Sequence, residues 1–169
     1  MAAQRAAEVF ASSDFFQESQ HIGCYLARSE EFDCSAIIEK IWQAGKNCYL
    51  PVLSKQADIP LDFAAYKSTD TLSQNRYKIL EPAQTEIFPT EKLDLVLVPL
   101  VAFDSHGHRL GMGGGYYDRT FSFLLKKPKT PYFVGLAYQL QATGQLPTEP
   151  WDVHLQAVIT EQELIHFQK

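Results

Sequence analysis

The sequence predicts an α/β fold from three observations. Residues Leu93 to Val101 are almost continuously apolar and rich in β-branched side chains, the pattern of a strand covered on both faces, as in a parallel sheet. A short apolar run at His21–Ala27, a helical pattern after Asp33 and a second apolar run at Asn47–Leu53 give strand, helix and strand within about 30 residues, a βαβ unit with a right-handed crossover. A further buried strand, Tyr132–Tyr138 (YFVGLAY), follows another helix start. Together these predict a single-domain, three-layer sandwich over residues 1–169, with a mostly parallel, Rossmann-like central sheet flanked by helices.

Taken in order, the alanine-rich stretch from Ala2 to about Phe16 has Ala6, Val9 and Phe10 at helical spacing and is broken near Ser12-Ser13-Asp14. His21–Ala27 is the first strand. The acidic and polar residues that follow, Arg28 to Glu31, form a loop at a strand C-terminus, where an open α/β sheet carries its ligands. Asp33 suits the cap of a helix through Ile37, Ile38, Ile41 and Trp42, and Gly45 suits its C-terminal stop. Pro51 marks the strand Asn47–Leu53 as an edge or as interrupted. Leu61–Tyr66 reads as a strand, antiparallel in sense, and the polar stretch to Gln74 as loop or helical turn. Ile79–Pro82 is extended because a residue before proline is pushed out of the α region, and Ala83–Lys92 is loop. After the central strand come a helix from about Tyr116 to Leu125, an exposed basic turn at Lys126–Lys129, and a last strand at Leu155–Ile159.

Composition narrows the function. Fifteen lysines and arginines against 20 acids give a net charge of −5, which argues against a broad nucleic-acid surface but leaves room for a local cationic pocket. No apolar run approaches the roughly 18 to 20 residues needed to span a bilayer, and MAAQRAAEVF lacks a secretory apolar region with a cleavage site. Cys24, Cys34 and Cys48 have no CxxC spacing, so a disulfide framework or zinc site is disfavoured. A cytoplasmic monomer with no membrane and no nucleic-acid partner is the expectation.

The chemistry concentrates at Arg109–Asp118. Four of the nine glycines, Gly111, Gly113, Gly114 and Gly115, lie within five residues, between a strand and a helix start. Such a backbone can take positive φ and turn its N–H groups toward a phosphate; it can equally fill a tight turn with no ligand. It is not a Walker A loop, since no lysine follows these glycines and Gly45-Lys46 has Lys40 at the first-glycine position. Nor is it a dinucleotide fingerprint, because Tyr116 and Asp118 stand where a third glycine is needed. Arg109 at the loop entry can grip phosphate bidentately, one of Tyr116 and Tyr117 can stack on a heterocycle, and Asp118 can favour a helix start or hold magnesium beside a triphosphate. His106 and His108 form an H-x-H pair without further ligands, a weak metal signal.

The string FDSHGHRLGMGGGYYDR closely resembles the signature of the 5-formyltetrahydrofolate cyclo-ligase family, and IGCYLARSEEFD, AGKNCYLPV, ILEP, LDLVLVPLVAFD, GLAYQLQ and WDVHLQAVIT resemble its other blocks in order, over residues 18–162. The resemblance implies an ATP- and Mg²⁺-dependent cyclisation of 5-formyltetrahydrofolate to 5,10-methenyltetrahydrofolate through a phosphorylated formyl group. It implies ATP binding by Arg109, Leu110, Gly111, Met112, Gly113, Gly114, Gly115, Tyr116 and Tyr117, with Arg109 and Tyr116 catalytic. Leu26, Glu31 and residues Met112, Gly113, Gly114, Gly115 and Tyr116 would bind folate, and Asp118 and Asp152 would hold the metal. The family commonly begins with a basic helix that reaches the ATP phosphates. Here only Arg5, Arg28 and Lys40 are basic before residue 46, so the chain is expected to lack that helix. The alternative reading is therefore a folate- or nucleotide-binding relative with weak or no turnover.

Overall fold

The computed structural model describes residues 1–83, 86–111 and 114–168. Among the described residues there are four α-helices, α1 (Ala2–Ser12), α2 (Asp14–Glu18), α3 (Ser35–Gln43) and α4 (Tyr116–Phe121). The strands are β1 (His21–Gly23), β2 (Asn47–Leu53), β3 (Leu61–Ala65), β4 (Leu72–Gln74), β5 (Leu80–Pro82), β6 (Ile87–Phe88), β7 (Leu95–Pro99), β8 (Ala102–Phe103), β9 (Arg109–Leu110), β10 (Tyr132–Leu136), β11 (Ala157–Ile159) and β12 (Leu164–His166). Eight of them form one sheet in the order β12-β11-β10-β7-β1-β2-β3-β6. The run from β11 to β2 is parallel and the strands outside it are antiparallel, so the sheet is mixed with a parallel centre.

Strand β7 shows why its sequence reads as covered on both sides. Leu95 and Leu97 pack with Phe10, Phe16, Ile37 and Ile41 in the layer of α1 to α3. The alternate residues Val96 and Val98 pack with Phe121, Leu124 and Phe133 on the other face. All four are fully buried, and each such side chain contributes about 1.5–3 kcal/mol relative to exposure. The carboxylate of Asp94, just before β7, accepts from the backbone N–H of Gln20 (3.0 Å) and His21 (2.9 Å) and ties the start of β1 to its neighbour.

The first helical stretch divides where expected: Ser13 accepts from the Phe16 N–H and caps α2. Helix α3 ends in a Schellman arrangement, with Gly45 N–H donating to Trp42 O, Lys46 N–H to Ile41 O, and Gly45 at φ +72°.

Other expectations are corrected. β1 stops at Gly23, and the chain beyond bends toward the site described below. β2 is an interior strand, yet β1 pairs only with Asn47, Cys48 and Tyr49, so Pro51 lies past the end of β1 and no ladder bond is lost on that side. Leu72–Gln74 is a strand, paired antiparallel with β5. β6 and β12 escape the sequence pattern because they are two- and three-residue edges, partly exposed. The predicted long helix after the glycines is α4 followed by a 3₁₀ turn, Ser122–Lys126.

Candidate active site

A cleft of about 1070 Å³ opens beyond the carboxyl ends of β1, β2 and β7. The chain leaves β1 for β2 on one side, while β7 lies on the other, so the cleft occupies the switch point where an open α/β sheet parts its loops. It brings together Leu26, Glu31, Arg109, Leu110, Gly111, Gly114, Gly115, Tyr116, Tyr117, Asp118 and Asp152. Met112 and Gly113, also expected in the site, lie outside the described residues.

Arg109 reaches the cleft on the hairpin formed by β8 and β9, where Ala102 pairs with Leu110 and Phe103 with Arg109. Asp104, 2% exposed, organises the turn. Its Oδ1 accepts from the N–H groups of His106 (2.9 Å) and His108 (3.0 Å), and its Oδ2 from Leu146 N–H (3.0 Å) and His108 Nδ1 (2.9 Å). Burial alone would raise this carboxyl, but those donors override it and lower its pKa to about 2. Gly107 sits at φ +85°, and a Cβ there would lie 2.6 Å from the Leu155 carbonyl oxygen, so the turn is closed to other residues.

The arginine is not free at the cleft mouth, as its sequence position implied. Its side chain is 7% exposed, and Nη2 donates to Asp118 Oδ1 at 2.6 Å. That oxygen also accepts from the Val153 N–H (2.9 Å), which joins α4 to the segment bearing Asp152. The Arg109 Nε–H is buried without a partner among the described residues. A buried donor left unmade costs about 1–3 kcal/mol, so this guanidinium edge is ready for an anionic oxygen.

Gly115 precedes α4 at φ +61°, a left-handed conformation that a side chain would strain. With six residues, α4 has a small dipole, so an anion here would depend on the loop N–H groups and Arg109 rather than on the helix. Tyr116 is exposed at the cleft with the Arg119 guanidinium 5.4 Å from its ring. Tyr117 is more enclosed, and burial, reinforced by the charge of Glu31 and opposed by that of Arg109, pushes its phenol far above its ordinary pKa. It therefore stays a neutral hydroxyl between the two charges.

On the other wall, Glu31 Oε2 accepts from Arg28 N–H (2.9 Å), which orients the carboxylate rather than leaving it loose in solvent. Sequence reasoning missed the β4–β5 hairpin, which adds Asn75, Tyr77, Lys78 and Glu81 to the cleft. Glu81 Oε2 accepts from Leu53 N–H (2.7 Å) and Asn75 Nδ2 (3.0 Å), fastening the hairpin to β2. Asn75 itself accepts from the N–H groups of Tyr77 and Ile79, and that Asx turn was the available signal.

For a magnesium ion the donors fit. Asp118 Oδ2 and Asp152 Oδ1 are engaged by no described residue, while the partner oxygens accept from Val153 and Glu149 N–H. One or two carboxylates completed by phosphate oxygens and water is the usual magnesium arrangement. Trp151 lines the cleft with 57% of its surface exposed.

Residues 1–161 match the model of the 5-formyltetrahydrofolate cyclo-ligase family. The chain is 41% identical over 145 residues to 5-formyltetrahydrofolate cyclo-ligase of Escherichia coli K12, covering 85% of this chain and 79% of that one. It is 42% identical over 141 residues to the enzyme of that name from Haemophilus influenzae, covering 82% and 74%. Among solved structures, 5,10-methenyltetrahydrofolate synthetase of Aquifex aeolicus superposes with a TM-score of 0.80 at 29% identity, over 99% of this chain and 81% of that one. The synthetase of Mycoplasma pneumoniae shares the fold, with a TM-score of 0.70 at 23% identity over 95% and 85%.

Proposed function

The chain belongs to the 5-formyltetrahydrofolate cyclo-ligase family and is a ligase, and on that premise we propose that its cleft couples ATP cleavage to cyclisation of 5-formyltetrahydrofolate to 5,10-methenyltetrahydrofolate. One observation carries the assignment of parts: a buried arginine whose Nε–H has no partner among the described residues lies in the same cleft as two carboxylates and a glycine loop. The relatives bear an enzyme's name, which supports turnover and gives the binding-only alternative no support.

In this reading the formyl oxygen attacks the γ-phosphorus, the bond to the β-phosphate oxygen breaks, and ADP departs. N10 then attacks the activated formyl carbon and loses its proton. The carbon–oxygen bond breaks, and phosphate leaves carrying the former formyl oxygen. A formamide oxygen is a poor leaving group, and its phosphorylation is the chemical use of ATP.

The chain's task is placement and charge balance, the main demands of phosphoryl transfer. Arg109 and the N–H groups of Gly111, Gly114 and Gly115 take the phosphates, together with Leu110 and the residues at 112–113. Tyr116 lies where nucleotide and folate meet, and Tyr117 supplies an uncharged hydroxyl beside them. Leu26 gives the pterin an apolar surface, and Glu31 accepts from its ring N–H donors. Magnesium held by Asp118 and Asp152 would neutralise the triphosphate. The test is formation of the methenyl chromophore from 5-formyltetrahydrofolate with Mg²⁺ and ATP; folate binding without ATP-dependent product would overturn the reading.

A further inference from the structure

The glycine loop is held from behind by a residue that does not enter the cleft. Arg119 is exposed and does not line the cleft, whereas Gly114, Gly115 and Tyr116 do. Its Nη2 donates to the Gly114 carbonyl oxygen at 3.1 Å, and its backbone N–H donates to the Gly115 oxygen at 2.9 Å. Positions three apart share one face of a helix, so the same guanidinium also lies over the Tyr116 ring, 5.4 Å from its centroid. That ring in turn folds back over Gly114, where an added Cβ would meet its Cδ1 at 3.5 Å.

The peptide between Gly114 and Gly115 needs such a tie. With no Cβ on either side it can rotate as a unit at little steric cost, and among the described residues no side chain caps the start of α4. In a trans peptide the C=O and N–H bonds point in opposite directions. Holding the Gly114 carbonyl toward Arg119, outside the cleft, therefore turns the Gly115 N–H toward the cleft. A rotated peptide would present its carbonyl oxygen there instead and repel an anion.

We propose that Arg119 is a positioning residue for the nucleotide: it holds the Gly114–Gly115 peptide with its N–H facing the phosphates and keeps the Tyr116 ring beside it. The inference rests on the reading of the cleft as a site for ATP and folate. A guanidinium suits the task because its flat face covers the ring while an N–H at its edge donates to the carbonyl. An ammonium carries the same charge without that plane. Only the oriented peptide is competent, so nucleotide affinity scales with the fraction of chains that hold it, and releasing the tie weakens binding without removing a ligand contact.

The experiment compares the parent chain with Arg119→Ala and Arg119→Lys. Calorimetry measures binding of ADP with Mg²⁺ and of 5-formyltetrahydrofolate alone, and NMR of chains labelled with ¹⁵N-glycine follows the amides of the nine glycines. Arg119→Ala should bind ADP roughly tenfold more weakly at both about 0.1 M and about 0.5 M salt, with folate affinity changed less than about threefold. Its Gly115 amide signal should be displaced or broadened before any ligand is added, and Arg119→Lys should recover little of either property. Arg119 is exposed, so both variants should fold, which thermal unfolding checks. A loss of ADP affinity that vanishes at high salt, or that lysine restores, would make the residue a source of attraction only and overturn the proposal. So would an unmoved Gly115 signal, or an equal loss of folate affinity. A parent chain that binds neither ADP nor folate would overturn the proposed function and this inference with it, whereas a parent that binds both, beside an Arg119→Ala chain that binds ADP equally well, overturns this inference alone.

Discussion

One wall of the cleft comes from a single run of chain, Arg109 to Asp118, whereas the other gathers Leu26 and Glu31 from the end of β1, and Asn75, Lys78 and Glu81 from the β4–β5 hairpin. The contiguous wall holds its charged groups against each other, as the 2.6 Å contact between Arg109 and Asp118 shows. The dispersed wall fastens its acids to backbone N–H groups instead, Glu31 to Arg28 and Glu81 to Leu53. The difference matters for ligands. Paired side chains can exchange partners when a polyanion arrives, whereas a carboxylate pinned by its own backbone is a fixed shape for a neutral heterocycle to meet.

That contrast can be broken from either side. The largest effect is expected for Asp118→Asn, which should lower turnover by roughly 10²–10³-fold while changing folate affinity by less than about threefold. Equal losses in kcat and in folate Kd would merge the walls into one undivided site. Next, Arg109→Ala should raise the apparent KM for ATP by about 10²-fold, and Arg109→Lys should not restore it, because an ammonium lacks the forked donors. An ATP response unchanged from the parent would remove the phosphate contact from the contiguous wall.

Glu31→Gln should weaken folate binding about tenfold, the size of a lost charge-assisted hydrogen bond, with ATP requirement unaltered. A shift in ATP dependence instead would place Glu31 with the other wall. The smallest effect is expected for Glu81→Gln, which retains one acceptor and should cost about 1 kcal/mol of stability, read as a lower denaturant midpoint. Lost turnover with unaltered stability would give Glu81 a chemical role rather than that of a fastener.

The same contrast governs what could be read from the sequence. Residues 93–119 declared themselves because a buried strand, a turn and a glycine loop follow one another in the chain, and each has a local signature. The βαβ unit was legible for the same reason. The β4–β5 hairpin was not, since three-residue strands such as Leu72–Gln74 carry too few positions for a period to show. Asp152 stood out only through family resemblance, because nothing in Trp151-Asp152-Val153 says that the fold returns it beside Asp118. The pairing of Arg109 with Asp118 was equally hidden: both were visible as charged residues near glycines, but which group faces which depends on the turn between them.

Because β7 is apolar toward both layers, polarity cannot index it. Sliding LVLVP by one place would swap leucines for valines between two greasy layers, a misfit of roughly one methylene per site, or about 0.8 kcal/mol each, with no charge driven into the core. The discrimination falls to the residue just outside the strand. Asp94 accepts through its carboxylate from Gln20 and His21, donates its own N–H to His21 O (2.8 Å), and accepts from Tyr132 N–H (2.9 Å). A slipped strand would forfeit all of these at once. Asp94 therefore serves as the detent that keys both central neighbours to one alignment, so that the ends of β1 and β7 terminate where the loops of the cleft must begin.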